Sequence, residues 1–286
     1  MAYGTPATRE DIRSYYTHIR RGRPPTDDEL ADLVCRYDAI GGISPLAERT
    51  EAQRAAIAAA LGEGWIVELG QKHAPPFIED GVRRLVDHGV DRIVGVVLAP
   101  HYSAGSVGQY HSRALAAAGE TPYAGIAHWY DLGAFVAHQG WATRTALQRC
   151  PEGTHVVFTA HSLPERVLVD DPYPEQLQTG AAAIATDAGL GGNWSIAWQS
   201  AGRTPEPWRG PDLLTVIDGL AGRVPGIVVV PHGFTSDHLE VRYDLDIEAA
   251  GRARDRGLAW GRAEVVNADE TVMAALAGRI AELAGA

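Results

Sequence analysis

The sequence is poor in lysine, in cysteine and in long apolar runs. Lys72 is the single lysine among 25 basic residues, which stand against 36 acidic ones for a net charge of −11. Such a chain lacks the broad cationic face that sequence-independent nucleic-acid binding needs. Only two cysteines occur, Cys35 and Cys150, far apart and outside any CxxC pair. That excludes a disulfide framework and a zinc ribbon and fits a reducing compartment. The longest apolar run, around Gly226 to Val230, stops at Pro231, well short of the ~18–20 residues of a membrane span. The opening MAYGTPATREDI has neither the charged nor the apolar region of a secretory signal. These absences predict a soluble cytoplasmic protein.

What is present is globular. The chain has 286 residues, 45% hydrophobic and 21% charged, enough at ~100–200 residues per domain for two modest α/β domains or one large one. Short β-branched runs alternate with longer alanine-rich amphipathic stretches, the pattern of a mostly parallel sheet. The expected strands are 65–69, 92–99, 124–128, 155–160, 195–199, 227–231 and, weakly, 263–266. The expected helices are 11–21, 27–37, 45–61, 77–88, 106–118, 132–148, 174–188 and 270–283. The natural reading is two similar Rossmann-like, doubly wound domains, residues 1–150 and 151–286, with the last helix packing back on the first. A domain of this kind opens on a buried strand, yet the helix signals here begin by Thr8. Either the first strand is cut down or the start lies upstream.

In open parallel sheets, ligands bind beyond the carboxyl ends of the strands. Those positions hold Lys72 and His73, His101 and Tyr102, His128 and Trp129, His161 and Ser162, Gln199 and Ser200, and His232 and Gly233, with Tyr3 at the chain start. Five of the 11 histidines thus converge on one sheet edge. A solvated turn explains one histidine better than it explains five. Further on, Glu240, Asp244 and Glu248 recur every fourth residue, which lines three carboxylates along one face of a wide helix. With no lysine partners nearby, such a row is costly unless it serves cations or is fully solvated. A third cluster, Arg20, Arg21 and Arg23 with Arg36, caps a helix C-terminus or grips carboxylates. There is no GxGxxG, Walker, GxSxG or HExxH motif, so nucleotide, serine-hydrolase and zincin readings find no support. Adjacent His161 and Ser162 on a strand point apart, which counts against a nucleophile and base pair.

The segments MAYGTP, YYTHIRRGR, RYDAIGGISPLAERT, KHAPPFIED, LAPHYSAGSVGQYHSRA, AHSLPERV, DPYPEQL, AWQSAGRTPEPWRGPD and GFTSDHLEVRYDLD follow one another as they do in the ferrochelatases. The chain resembles that family nearly end to end, most closely its soluble bacterial branch acting on coproporphyrin. The resemblance implies two Rossmann-like domains with a porphyrin cleft between them and insertion of Fe(II) into a tetrapyrrole. It assigns His161 as the active-site histidine and Glu240 as the carboxylate facing it, the two being catalytic and metal-binding. Asp244 and Glu248 continue the metal path along a π-type helix, and Tyr3 faces the metal from the opposite side. Arg20, Arg21, Arg36, Ser44 and Tyr110 match positions contacting the porphyrin or its propionates, and Lys72, His73 and Trp208 line the cleft.

Some relatives hold a [2Fe–2S] cluster on four cysteines; two cysteines predict none here, and Fe(II) is expected as substrate, with no resident cofactor. A monomer without integral membrane association is expected. Relatives usually carry about ten residues before MAYGTP as a first strand. Protoporphyrin IX as substrate, or a tetrapyrrole carrier without turnover, are the alternatives.

Overall fold

A computed structural model describes residues 1–285. The chain forms two parallel sheets, the mixed α/β architecture that the alternating pattern implies. In the second half, β3 (His155–His161), β4 (Trp194–Gln199), β5 (Gly226–Val230) and β6 (Ala259–Arg262) assemble in the order β4-β3-β5-β6, all parallel. The run Gly226-Ile-Val-Val-Val230 is buried at every position, as a central parallel strand covered on both faces must be. The crossovers are α7 (Tyr173–Ala188), α8 (Leu213–Leu220), and a π-helix (Val241–Ala249) running into α9 (Ala250–Asp255).

The first half has only two hydrogen-bonded strands, β1 (Ile93–Val96) and β2 (Tyr123–Ile126), joined through α5 (Val107–Ala118). Ahead of them come α1 (Ile12–Ile19), α2 (Asp27–Ala39), α3 (Leu46–Leu61) and α4 (Ile78–Asp87), and after them α6 (Gly133–Leu147). A reciprocal capping box starts α2: the Glu29 amide donates to Thr26 Oγ1 at 3.2 Å and the Thr26 amide donates to Glu29 Oε2 at 2.8 Å. The last helix, α10 (Glu270–Ala284), packs along α3 and touches β1 and β2.

Two expected strands are corrected. Residues 65–69 run extended but join no ladder. Their carbonyls are taken by side chains, Val67 by Arg54 and Leu69 by Arg84, each at 3.2 Å. Between this segment and β1 lies a cavity of about 350 Å³, so residues 65–69 and β1 do not pair. The Met1 amino group donates to the Val96 carbonyl at 2.6 Å, and the Ala2 amide donates to the Gly70 carbonyl at 3.1 Å. The strand expected at 263–266 forms instead at Ala259–Arg262. Ala263, Val265 and Val266 are buried core residues beyond it. Helices α8 and α9 fall in the spaces between strands where helical periodicity was expected, though outside the ranges named.

Candidate active site

His161 ends β3, and Glu240 is the residue from which the π-helix starts. The fold brings them together, with His161 Nε2 at 3.5 Å from Glu240 Oε1 and each side chain about a third open (36% and 35%). His161 Nδ1 lies 2.5 Å from the Ser162 carbonyl. A carbonyl accepts only, so Nδ1 carries a proton, and Nε2 is the nitrogen that faces Glu240. Burial alone pulls the imidazole down, but the Glu240 charge and hydrogen bond outweigh it and raise it to about 9. Burial likewise acts to raise Glu240, and His161 together with His238, 3.6 Å away, holds it well below the usual carboxylate range. The resting pair is an imidazolium and a carboxylate, which an incoming cation converts into a neutral ligand and a released proton.

The acidic row does lie along a helix, and the helix is π. In an α-helix each four-residue step drifts by roughly 40°, and the wider π geometry reduces that drift. Exposure changes along the row: Glu240 is half-buried beside His161, Asp244 is buried, and Glu248 is exposed. Burial and then the Glu240 charge push the Asp244 carboxyl up to about 6. The repulsion expected from the sequence is relieved by arginines remote in the chain. Arg36 of α2 reaches Asp244 at 3.4 Å, and Arg262 of β6 grips Asp246 at 2.5 and 3.2 Å.

The first half contributes a wall of aromatic and cationic groups. Tyr3 is 45% exposed and packs at a tilt against His73, with centroids 4.6 Å apart. Partial burial and the Glu240 charge hold its phenol above the ordinary range. His73 Nδ1 meets His18 Nδ1 at 3.0 Å, and burial followed by Lys72 brings His73 down to about 3. Lys72 lies over the Tyr110 ring at 5.1 Å, its ammonium lowered to about 8 by burial and then by Arg113 and Arg21. Arg21 carries a left-handed backbone (φ 57°) at the end of α1, while Arg20 is tied to Glu29 at 2.6 Å.

Two positions are less open than the resemblance implies. Ser44 is buried and its Oγ accepts the Leu46 amide at 3.2 Å; Tyr110 is also buried. Trp208 packs its ring flat on Gly202, where any Cβ collides with it. Tyr173, whose hydroxyl donates to the His161 carbonyl at 3.2 Å, was not singled out. Nor were the supporting contacts of Gln199 to the Glu240 carbonyl (3.3 Å) and Ser200 to Asp244 Oδ2 (2.5 Å). Tyr173 sits in DPYPEQL and the other two follow β4, so the signal was the strand-end rule and the family segments rather than residue type.

Among the described residues no cluster of three or more histidine, cysteine or acidic side chains is arranged to hold a metal ion, so an open histidine and carboxylate pair can bind a cation without enclosing it. The doubly wound frame is shared with the solved structure of SirB from Bacillus subtilis with Fe3+, at a TM-score of 0.57 and 16% identity over 82% of this chain and 90% of that one. That likeness shows the fold. The Ferrochelatase family model matches residues 1–284, and the chain belongs to the ferrochelatase family. It is 43% identical to coproporphyrin III ferrochelatase of Geobacillus kaustophilus, covering 97% of this chain and 92% of the relative. Against coproporphyrin III ferrochelatase of Bacillus subtilis it is 41% identical, with 97% and 94% covered. Among the described residues no helix is long and apolar enough to cross a membrane.

Proposed function

We propose that this protein inserts Fe(II) into coproporphyrin III, yielding Fe-coproporphyrin and two protons, as a step of haem formation. The observation that carries the reading is the His161 and Glu240 pair at 3.5 Å with the acidic row leading away from it. A free porphyrin is a flat disc whose central nitrogens hold two protons, so the enzyme must bend the ring, take the protons and supply a partly dehydrated metal. His161 acts as first metal ligand or pyrrole proton acceptor. Glu240 accepts a proton or passes the metal, and Asp244 and Glu248 form the path. Imidazole and carboxylate bind Fe(II) while leaving it exchangeable.

Arg20, Arg21, Arg36, Ser44 and Tyr110 hold the propionates, while Tyr3, Lys72, His73 and Trp208 line the cleft between two units, residues 1–150 and 151–286. The four propionates of coproporphyrin suit this cationic wall better than the two of protoporphyrin, and the curated relatives named above support that choice. The protein works as a monomer in the cytoplasm, with Fe(II) and the tetrapyrrole as substrates and no resident cofactor.

Anaerobic spectrophotometry of the purified protein with Fe(II) and each porphyrin in turn tests the reading. Faster metallation of coproporphyrin III is expected. Tight porphyrin binding with no metallation overturns it in favour of a carrier.

A further inference from the structure

Two arginines neutralise the π-helix carboxylates in different ways. Arg262 is 15% exposed and holds Asp246 through two guanidinium nitrogens, with a further contact to Asp237 at 3.3 Å. That is a saturated structural clamp. Arg36 is 30% exposed and makes two long single contacts, Nε to Asp32 at 3.2 Å and Nη1 to Asp244 at 3.4 Å, with its face on Tyr243. Asp32 is already served by Arg203, from the loop after β4, at 2.7 Å. Arg36 is therefore the loosely held member of a chain of charges, Arg203, Asp32, Arg36, Asp244, that links α2 to the π-helix. If it leaves, Asp32 keeps a partner and Asp244 keeps the Ser200 hydroxyl.

The same guanidinium is the one the reading above gives to a propionate. Only two of its five N–H donors are engaged, both in long single contacts, so a bidentate propionate competes with Asp244 for the guanidinium charge on better geometry than Asp244 has at 3.4 Å. While it rests on Asp244, the middle carboxylate of the row is neutralised, and a divalent cation approaching from Glu248 meets a positive charge there.

We propose that Arg36 is a charge-exchange gate: in the porphyrin-free enzyme it closes the row at Asp244, and a substrate propionate that takes over the guanidinium opens it, so that porphyrin binding precedes metal loading. This rests on the assignment of the acidic row as the metal path. Asp32 is then a positioning residue that holds Arg36 within reach of both carboxylates.

The test is calorimetric titration of Co(II) into the porphyrin-free full chain. Arg36→Met should bind Co(II) at least about tenfold more tightly than wild type, since a charge facing the site is gone. Arg36→Lys, which keeps the charge, should bind as wild type does, and Arg36→Met with Asp244→Asn should lose the gain. Wild type saturated with Zn(II)-coproporphyrin, which brings the propionates but has no vacant ring, should gain Co(II) affinity as the Arg36→Met variant does. Unchanged Co(II) affinity in a folded Arg36→Met chain, while wild type still metallates coproporphyrin, overturns the gate alone. Failure of wild type to metallate any porphyrin overturns the underlying reading and the gate with it.

Discussion

In the second half of the molecule β5 lies between β3 and β6, and every one of its residues is buried. In the first half β1 is paired with β2 on one side and faces a cavity of about 350 Å³ on the other, with the Met1 amino group at its rim. The proposed site residues are divided between these two halves. His161 ends β3 of the filled sheet, and Glu240 opens the π-helix that crosses over from β5 to β6. The groups proposed to grip the ligand, from Tyr3 to Tyr110, stand on helices and loops around the sparse one. A reaction centre requires precision, whereas a surface that closes on a disc tolerates give.

The largest expected effect sharpens this division. His161→Ala should lower metal insertion by about 10²–10⁴-fold, while porphyrin still binds, as followed by fluorescence titration. Wild-type turnover in that variant breaks the claim that the filled sheet carries the chemistry.

The next concerns the Met1 amino group, which burial lowers from its usual 8.0 to about 5. Between those values the unfolded chain holds a proton that the folded one does not. The amine therefore costs stability as pH falls from 8 toward 5, by up to about 4 kcal/mol at ~1.4 kcal/mol per pH unit. Urea unfolding of the 286-residue chain against its Nα-acetylated form, for which the cavity has room, isolates this contribution. The acetylated form should be ahead at pH 6 and the lead should shrink by pH 8.5; a lead that does not change with pH removes the first half's electrostatic weakness.

A smaller contrast comes from core truncation. Ile227→Ala in fully buried β5 should cost about 2–5 kcal/mol, whereas Ile66→Ala, 44% exposed beside the cavity, should stay within about 0.5 kcal/mol. Equal costs in denaturant titrations mean the first half is better packed than its cavity suggests. The smallest effect is Arg20→Ala, expected to weaken coproporphyrin III more than protoporphyrin IX by about 1.5–3 kcal/mol. Equal losses, measured by equilibrium binding, detach Arg20 from propionate recognition.

The same asymmetry governs what could be read in advance. The strand at 227–231 was legible because a doubly covered strand must be an unbroken apolar run, and those at 155–160 and 195–199 because short β-branched or aromatic runs stand between helical stretches. Residues 65–69 carry the same composition but pair with nothing, since ladder formation depends on a neighbour that no local pattern reports. At 263–266 the apolar run reported burial, while register with β5 selected Ala259–Arg262. In the site, His161 and Glu240 were legible through the family segments around them. Their 3.5 Å approach across 79 positions, and that of Arg36 to Asp244 across 208, are products of topology alone.

The lone lysine has a practical consequence. Lys72 sits half-buried with its ammonium at about 8, and the Met1 amino group is part-buried against Val96. An acylating reagent at mildly alkaline pH therefore meets a single lysine side chain. A mass increment there, lost when coproporphyrin is bound, becomes a footprint of the placement proposed for Lys72.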